Sequence, residues 1–210
     1  MSPEFARAPK RIGVFGGAFD PPHNAHVALG RAALEQFQLD VLYVIPTGQA
    51  WHKARALSAP EHRLVMTRLA FENIPCAVVD DREVQRSGPT FTIDTLQALQ
   101  ADNPQAQLYL FIGADQFAAF RQWHKWQEIL ELAIICIADR AQSTLAQTQF
   151  DAYAAHNHRF FTLKLPLMSV SATLVRQLMA SGTASVGQLA KLVPEPVARY
   201  ISFHQLYGPC

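Results

Sequence analysis

Four short apolar runs, separated by segments with helical spacing, constrain the fold of this chain most strongly. The runs are Ile12–Gly16, Val41–Pro46, Leu108–Asp115 and Leu132–Asp139. A strand with one face in water alternates apolar and polar residues, whereas a continuous apolar run is typical of a strand buried on both faces. The alternation of such strands with helices predicts an α/β fold with a Rossmann-like, doubly wound parallel sheet. Ligands of such sheets gather at the carboxyl ends of the strands.

The rest of the chain is assigned to shorter elements around this sheet. The same patterns predict two further strands and a helix, at Ala77–Asp81, Arg159–Leu167 and Glu61–Glu72. Residues 11–210 are predicted to form a single domain with a small helical C-terminal part from about 168 to 210. The polar residues 1–10 are interpreted as a disordered lead-in or a remnant of an expression vector. Residues 141–160 show no periodicity and are interpreted as a variable insertion.

The composition narrows the class of partner. The net charge is +1, so the chain lacks the overall basic field of nucleic-acid-binding proteins, and we expect neither nucleic acid nor a membrane as partner. Half of the residues are hydrophobic, which suffices for a core without disulfides. Cys76 and Cys136 lie in apolar runs and are predicted to be core residues. Sparse cysteines without a secretion signal indicate a cytoplasmic protein, and a homo-oligomer is compatible with this composition.

The first candidate site is the stretch "GVFGGAFDPPHNAH", in which Gly16 and Gly17 stand between a strand and a helix. Glycines at this point permit positive φ angles and a close approach of a ligand to the backbone. Pro21 and Pro22 suit the start of a helix, whose N–H groups and dipole attract phosphate. A bare Gly-Gly pair is nevertheless more often a tight turn without a ligand.

The same stretch carries two histidines, His23 and His26. Their spacing of three residues places both on one side of a helix. A metal site would need a third ligand, and none stands at a recognisable spacing. Imidazoles can instead donate hydrogen bonds to phosphoryl oxygens, while a structural role is as good an interpretation of the pair alone. Their position directly after the Gly-Gly pair favours phosphate.

The second candidate site is "SVSATLVR", near the C-terminus. Ser171 is predicted to be the N-cap of an amphipathic helix that ends at Gly182. A capped helix without a ligand is the simplest interpretation, because such helices are common. The functional interpretation is a second phosphate-binding helix start, with the hydroxyls of Ser171 and Thr173 and with Arg176 one turn further on.

Several segments together resemble one enzyme family. "GGAFDPPHNAH" and "VSATLVR" are similar to the HxGH and ISSTxxR motifs of a nucleotidyltransferase superfamily. Four further segments resemble segments of the bacterial nicotinate-nucleotide adenylyltransferase family: "GQAWHKAR", "REVQRSGPTFTIDTL", "FIGADQFAAFRQWHKWQEIL" and "LVPEPVARYISFHQLY". Their order and spacing extend the resemblance over nearly the whole chain. Two departures are Ala25, where the motif has glycine, and "AWHK", where the family often has Pro-Pro-His-Lys.

This resemblance implies a specific reaction. The 5′-phosphate of nicotinate mononucleotide would attack the α-phosphorus of ATP directly and in line, giving deamido-NAD and pyrophosphate in NAD biosynthesis. No base need abstract a proton, because the nucleophile is already an anion, and no covalent enzyme intermediate is expected. Mg²⁺ would bind together with the phosphates of ATP and without protein side chains as ligands.

The resemblance also implies three sets of site residues. Catalysis is assigned to His23, His26 and Arg176. ATP binding is assigned to Gly16, Gly17, Ala18, Phe19, His23, His26, Gly113, Asp115, Ser171, Thr173 and Arg176. Mononucleotide binding is assigned to Lys53, Thr92, Trp123 and Arg140. Within these sets Asp115 would contact a ribose, Thr92 the nicotinate carboxylate and Trp123 the pyridine ring, whereas Trp126 is interpreted as a core residue.

Three alternatives stay open from the sequence. A phosphopantetheine adenylyltransferase shares both end motifs, but its chains are shorter and the "GPTFTIDTL" and "QWHKW" segments would have no role. An enzyme that prefers nicotinamide mononucleotide is the second alternative, because the amide of that substrate and the carboxylate of nicotinate mononucleotide differ by one charge. A catalytically inactive nucleotide-binding regulator is opposed by the histidines and by Arg176, and Ala25 alone supports it.

Overall fold

The computed structural model describes residues 9–48, 57–139, 158–166, 168–182 and 184–208. Six strands form one sheet in these ranges: β1 (Arg11–Gly17), β2 (Val41–Pro46), β3 (Ala77–Val79), β4 (Gln107–Gly113), β5 (Ala133–Asp139) and β6 (Phe160–Lys164). All paired strands are parallel, and their order is β3-β2-β1-β4-β5-β6. This is the strand order of a doubly wound Rossmann-like sheet, so the predicted fold class is confirmed.

Helices cover both faces of the sheet. The described helices are α1 (Asn24–Phe37), α2 (Pro60–Phe71), α3 (Arg82–Gln85), α4 (Thr92–Asp102), α5 (Ala114–Ala118), α6 (Trp126–Leu132), α7 (Ala172–Ala180), α8 (Val186–Leu189) and α9 (Glu195–Phe203). Apolar residues of α1, α2, α7, α8 and α9 pack into one core cluster, and those of α4, α5 and α6 pack into the other. The last three helices lie in the predicted helical C-terminal part.

The first strand explains why an apolar run without alternation is required here. In β1, Ile12 and Val14 belong to one core cluster and Phe15 belongs to the other. Both faces of a central strand are therefore removed from water, which is the physical reason for the continuous run. All three side chains are at most 5 % exposed.

The position of a ligand site follows from the strand order. β1 pairs with β2 on one side and with β4 on the other. The chain leaves β1 through α1 toward β2, whereas the connections beyond β4 run the other way, so the two connections diverge at the carboxyl ends of β1 and β4. Such a switch point leaves a crevice between the diverging loops.

One cysteine prediction is wrong and the other is confirmed. Cys136 is buried in β5, where burial raises the pKa of its thiol well above the ordinary value. Cys76 is exposed and has a φ of 63°. It lies just before β3, in a left-handed turn that directs the chain into the strand, so apolar neighbours in the sequence do not bury it.

The short helix α3 has no periodicity that sequence patterns could detect.

Within the described ranges, no helix combines the length and the apolar character needed to cross a membrane.

Candidate functional site

A cleft beside the loop that follows β1 brings the two end motifs of the sequence together. It has a volume of about 300 Å³ and is lined by Ala18, Phe19, Asp20, His23, His26, Leu57, Ala172, Thr173 and Arg176. The loop after β1 supplies one wall and the start of α7 supplies another. A direct hydrogen bond joins them, since Nη1 of Arg176 donates to the backbone carbonyl of Asp20 at 2.8 Å.

The Gly-Gly pair does not form the turn that we expected from its sequence. Gly16 and Gly17 belong to β1 and pair with Ile45 and Pro46 of β2, without positive φ angles. The left-handed residue is Phe19, with a φ of 45°. Its ring is buried 5.3 Å from that of Phe15, and this packing stabilises a conformation that non-glycine residues rarely adopt.

Gly16 has a different structural use. A Cβ atom built at this position would meet no atom within 4 Å. The same holds for Gly113, the last residue of β4. Both strands that border the switch point therefore carry a glycine next to open space at or one residue before their last position, where a ligand can approach the backbone closely.

His23 and His26 form a stacked pair at the start of α1. Their ring centroids are 3.6 Å apart with an interplanar angle of 19°. His23 is the N-cap residue, and its backbone N–H donates to Nδ1 of His26 at 3.1 Å. Because Nδ1 of His26 accepts this bond, the proton of its neutral ring lies on Nε2, which makes Nε2 a hydrogen-bond donor. Pro21 and Pro22 precede the N-cap and do not occupy the first helical positions.

The start of α1 is tied to the C-terminal part of the chain. The backbone N–H of Asn24 donates to the carbonyl of Leu192 at 2.9 Å. Ala25 follows inside the helix and does not line the cleft. Alanine fits this helical conformation better than the glycine of the family motif, because it loses less backbone entropy.

Helix α7 places its side chains as its sequence predicts. The Oγ atom of Ser171 accepts from the N–H of Leu174 at 3.2 Å, so the predicted N-cap is confirmed. Nη2 of Arg176 donates to Oγ1 of Thr173 at 3.1 Å. Thr173 and Arg176 line the cleft, whereas Ser171 serves the cap and is not part of the lining.

The remaining predicted residues lie outside this lining. Asp115 is exposed in the first turn of α5, and Thr92 is the first residue of α4. Trp123 is partly buried, with its ring 5.4 Å from that of Phe120. Trp126 packs against the core, as predicted, and the Arg121 guanidinium lies 5.9 Å from its ring centroid. The predicted residues Lys53 and Arg140 fall outside the described residues.

Sequence reasoning missed a buried arginine behind the cleft. Arg63 of α2 is only 1 % exposed. Its guanidinium donates to the carbonyls of Ala18 at 3.0 Å, Thr47 at 2.7 Å, Gly48 at 3.3 Å and Ser58 at 3.0 Å. Burial lowers its pKa from the ordinary value, while the nearby Asp20 carboxylate acts in the opposite direction.

The signal for Arg63 was present in the helical spacing. It precedes the buried residues Met66 and Thr67 by three and four positions, so it lies on the apolar face of α2. A charged residue on such a face requires partners. Its four carbonyl partners belong to the loop after β1, the end of β2 and the segment before α2, and Arg63 therefore fixes their relative positions.

Asp20 and Tyr207 were missed as well. Asp20 is 3 % exposed, and its carboxylate accepts from Oη of Tyr207 at 2.6 Å and from the N–H of Ser58 at 3.3 Å. Burial, followed by the negative charge of Asp20, raises the pKa of Tyr207 far above its ordinary value. The phenol therefore stays protonated and donates. No local pattern links two residues that are 187 positions apart.

Gly16→Ala tests whether a ligand lies against the end of β1. Because the added methyl group meets no protein atom, we expect the free energy of unfolding to change by less than about 0.5 kcal/mol. A ligand at this point would be displaced, and we expect the KM for ATP, the ligand that the sequence resemblance implies, to rise roughly tenfold, as for a loss of about 1.4 kcal/mol. Steady-state kinetics and urea unfolding measure the two quantities.

Gly187→Ala in α8 is the matched control, since its added Cβ makes only an ordinary contact of 4.0 Å with Oγ of Ser185 and Gly187 does not line the cleft. This control is expected to leave the KM unchanged. An unchanged KM in Gly16→Ala as well would show that no ligand approaches β1 there.

The chain is similar to known proteins over most of its length. A family model described as cytidylyltransferase-like matches residues 14–178. A protein of Albidiferax ferrireducens named "Probable nicotinate-nucleotide adenylyltransferase" is 54 % identical over 198 residues, which cover 94 % of this chain and 98 % of that protein. A protein of Bordetella petrii with the same name is 40 % identical over 200 residues, covering 94 % and 99 % of the two chains.

Solved structures share the fold at low sequence identity. A nicotinic acid mononucleotide adenylyltransferase of Plasmodium falciparum complexed with NaAD superposes with a TM-score of 0.76 at 19 % identity, over 94 % of this chain and 97 % of that chain. The same enzyme complexed with APC gives a TM-score of 0.75.

Proposed function

This chain belongs to the cytidylyltransferase-like family, and from that premise we propose that it transfers the adenylyl group of ATP to nicotinate mononucleotide, with deamido-NAD and pyrophosphate as products. The relatives that align over nearly the whole chain carry the name of this activity. The proposal places the enzyme in the cytoplasm and in NAD biosynthesis.

One observation carries the proposal most directly. The cleft unites stacked imidazoles at the start of α1 with a guanidinium and a hydroxyl of α7, although these helices lie about 150 residues apart in the sequence. Their side chains offer N–H and O–H donors, and the starts of two helices add positive dipole ends. This is the chemistry that a triphosphate requires.

The reaction proceeds by in-line displacement at the α-phosphorus of ATP. An oxygen of the mononucleotide phosphate forms the new bond to phosphorus, the bond to the bridging oxygen breaks, and its electron pair leaves with pyrophosphate. No general base is needed, because the attacking phosphate is already ionised. The enzyme therefore aligns two polyanions and stabilises negative charge in the transition state.

Residues of the cleft divide this work between them. Nε2 of His26 donates to a phosphoryl oxygen as charge develops there, and His23 holds the ring of His26 by stacking and by its backbone N–H. Arg176 and Thr173 bind the β- and γ-phosphates that leave as pyrophosphate. Donors that are positioned before the reaction stabilise the transition state without reorganisation.

Magnesium fits this arrangement as a companion of ATP. Within the described residues, no group of three or more His, Cys, Asp or Glu side chains could hold a metal ion. Mg²⁺ takes oxygen ligands, retains several waters and binds readily through substrate phosphates, so the ion would enter with ATP while the N–H donors of the cleft hold the phosphate oxygens. When bound, the ion neutralises part of the phosphate charge.

The mononucleotide is assigned to the neighbouring segment around α4. The N–H of Thr92 lies in the first turn of this helix and suits the nicotinate carboxylate, and Trp123 offers a partly exposed ring for stacking. Oγ1 of Thr90 supports a ligand here, because it is a buried atom without a hydrogen-bond partner in the part of the chain that the structure describes. Such a donor is costly unless an oxygen of a ligand satisfies it. Nη1 of Arg86 also has no hydrogen bond among these residues, but it faces the carboxylate of Asp94 at 3.8 Å. Lys53 and Arg140 remain candidates for the phosphate.

A pyrophosphate-release assay tests the proposed function. The protein is incubated with ATP, Mg²⁺ and either nicotinate or nicotinamide mononucleotide, and the dinucleotide product is identified by mass spectrometry. We expect rapid release with the nicotinate form and slow release with the nicotinamide form, which lacks the carboxylate charge. Faster release with nicotinamide mononucleotide would overturn the assignment of the substrate. If neither mononucleotide gave pyrophosphate, the proposed activity would be wrong.

A further inference from the structure

We propose that Tyr207 is a positioning residue for ATP, which fixes Arg176 in the cleft by holding Asp20. The connection consists of two hydrogen bonds. Oη of Tyr207 donates to Oδ1 of Asp20 at 2.6 Å, and the backbone carbonyl of the same aspartate accepts from Nη1 of Arg176 at 2.8 Å. The inference rests on the proposed function only for the identity of the ligand as a nucleoside triphosphate.

The buried carboxylate of Asp20 is unusual beside a cleft that is proposed to bind phosphate. Asp20 lines the cleft and is 3 % exposed. It carries the same sign of charge as the ligand, and the proposed reaction uses no carboxylate. A buried charge is tolerated only when it is paired and hydrogen-bonded. Tyr207 and Ser58 supply these hydrogen bonds, and Arg63 supplies the opposite charge nearby.

The partners of Asp20 give it a structural purpose. Its side chain is held from the C-terminal segment and from the segment before α2, so the backbone of Asp20 has a defined position. That backbone carries the carbonyl that Arg176 uses as an anchor. The second anchor of Arg176 is Oγ1 of Thr173, at 3.1 Å. With both anchors in place, the planar guanidinium has a fixed orientation in the cleft.

The conformation of the C-terminal segment supports this assignment. After α9 the chain adopts left-handed φ angles at Gln205 and Tyr207, of 51° and 63°. Non-glycine residues hold such angles at a cost of about 1 kcal/mol or more, when the surrounding structure requires them. The turn brings the phenol of Tyr207 onto Asp20, and burial keeps that phenol protonated as a donor.

The variant Tyr207→Phe removes the hydroxyl and keeps the ring. Without this hydrogen bond, the Asp20 side chain is held less tightly, and the carbonyl anchor of Arg176 can shift with it. Since Arg176 is proposed to hold the β- and γ-phosphates both before and during the reaction, the loss should weaken ATP binding more than it lowers kcat. We expect the Kd and the KM for ATP to rise roughly tenfold, with the KM for the mononucleotide unchanged.

Tyr200→Phe is the matched control. The hydroxyl of Tyr200 forms a hydrogen bond of 2.9 Å with Nδ1 of His62, which likewise links the C-terminal part to α2. Tyr200 is not among the described residues that line the cleft. A hydroxyl that only stabilised the fold would give the same result in both variants. We expect Tyr200→Phe to lower thermal stability to a similar extent but to leave the Kd for ATP within twofold of wild type.

The decisive experiment is calorimetric titration of the full-length protein and both variants with Mg²⁺-ATP, repeated in an Arg176→Met background. In that background Tyr207→Phe should have no further effect on the Kd, because its effect acts through Arg176. The proposal would be overturned if the Kd of Tyr207→Phe for ATP stayed within twofold of wild type, or if Tyr200→Phe changed this Kd equally. It would also be overturned if Tyr207→Phe changed the Kd as much in the Arg176→Met background as in the wild type, or if Tyr207→Phe failed to fold. If the wild type binds ATP but transfers no adenylyl group, the proposed function fails, and this titration still decides the role of Tyr207.

Discussion

His26→Ala is expected to lower kcat by about a hundredfold or more, the typical loss when one donor to a developing negative charge is removed. The reason is geometric. His26 lines the cleft, and its Nδ1 accepts the N–H of His23, so the ring presents Nε2–H as a donor. Because this bond should strengthen as charge accumulates on the phosphoryl oxygens, kcat should fall more than the KM for ATP rises. Steady-state kinetics with ATP at saturation measure the change.

His204→Ala is the control for this prediction, because His204 is an exposed histidine at the end of α9 and does not line the cleft. Its kcat should match that of the wild type. Thermal melts of both variants separate loss of catalysis from loss of fold. Near-normal turnover in a folded His26→Ala variant would remove His26 from the mechanism and leave the charge stabilisation to Arg176 and the helix starts.

Arg63→Met is expected to lower the free energy of unfolding by about 3–5 kcal/mol, which is the range for breaking a buried charged network. Methionine fills a similar volume but donates no hydrogen bond. The carbonyls of Ala18, Thr47, Gly48 and Ser58 would lose their donor. The carboxylate of Asp20 would lose its nearby positive charge. Buried acceptors without partners retain their full desolvation cost. Urea unfolding measures the change.

Arg68→Met, one turn further along the same helix, is the matched control. The side chain of Arg68 is 54 % exposed and forms an ion pair with Asp81 at 3.4 Å. An exposed pair of this kind contributes less than about 1 kcal/mol, so the control should be close to wild type. A loss below about 1 kcal/mol in Arg63→Met as well would show that water replaces the guanidinium at the four carbonyls.

The fold could be predicted because its signals are local. The run in β2, Val41–Pro46, and the N-cap at Ser171 each depend on contacts within a few residues, and the structure contains both at the predicted positions. Burial on both faces explains the first and a side-chain hydrogen bond to the helix start explains the second. The prediction for Cys76 failed because burial depends on where the turn before β3 directs the chain.

The candidate site was predicted in part. The sequence motifs identified His23, His26, Thr173 and Arg176, and the structure brings these residues to one cleft. Their chemical roles stay predictions until the variants are measured. Ser171 was predicted from the same motifs but lies outside the cleft lining, since motif matching assigns residues to a ligand without knowing which of them serve the backbone.

Short-range patterns in the chain specify the class of fold, the main strands and helices and the residue types that meet in the cleft, because periodicity and capping act over a few residues. The way in which these residues are held depends on tertiary contacts. Arg176 and Asp20 are 156 positions apart, and Tyr207 and Asp20 are 187 positions apart. Hydrogen bonds over such separations leave no periodic trace in the chain. They require the packed sheet, which brings the two ends of the chain close together.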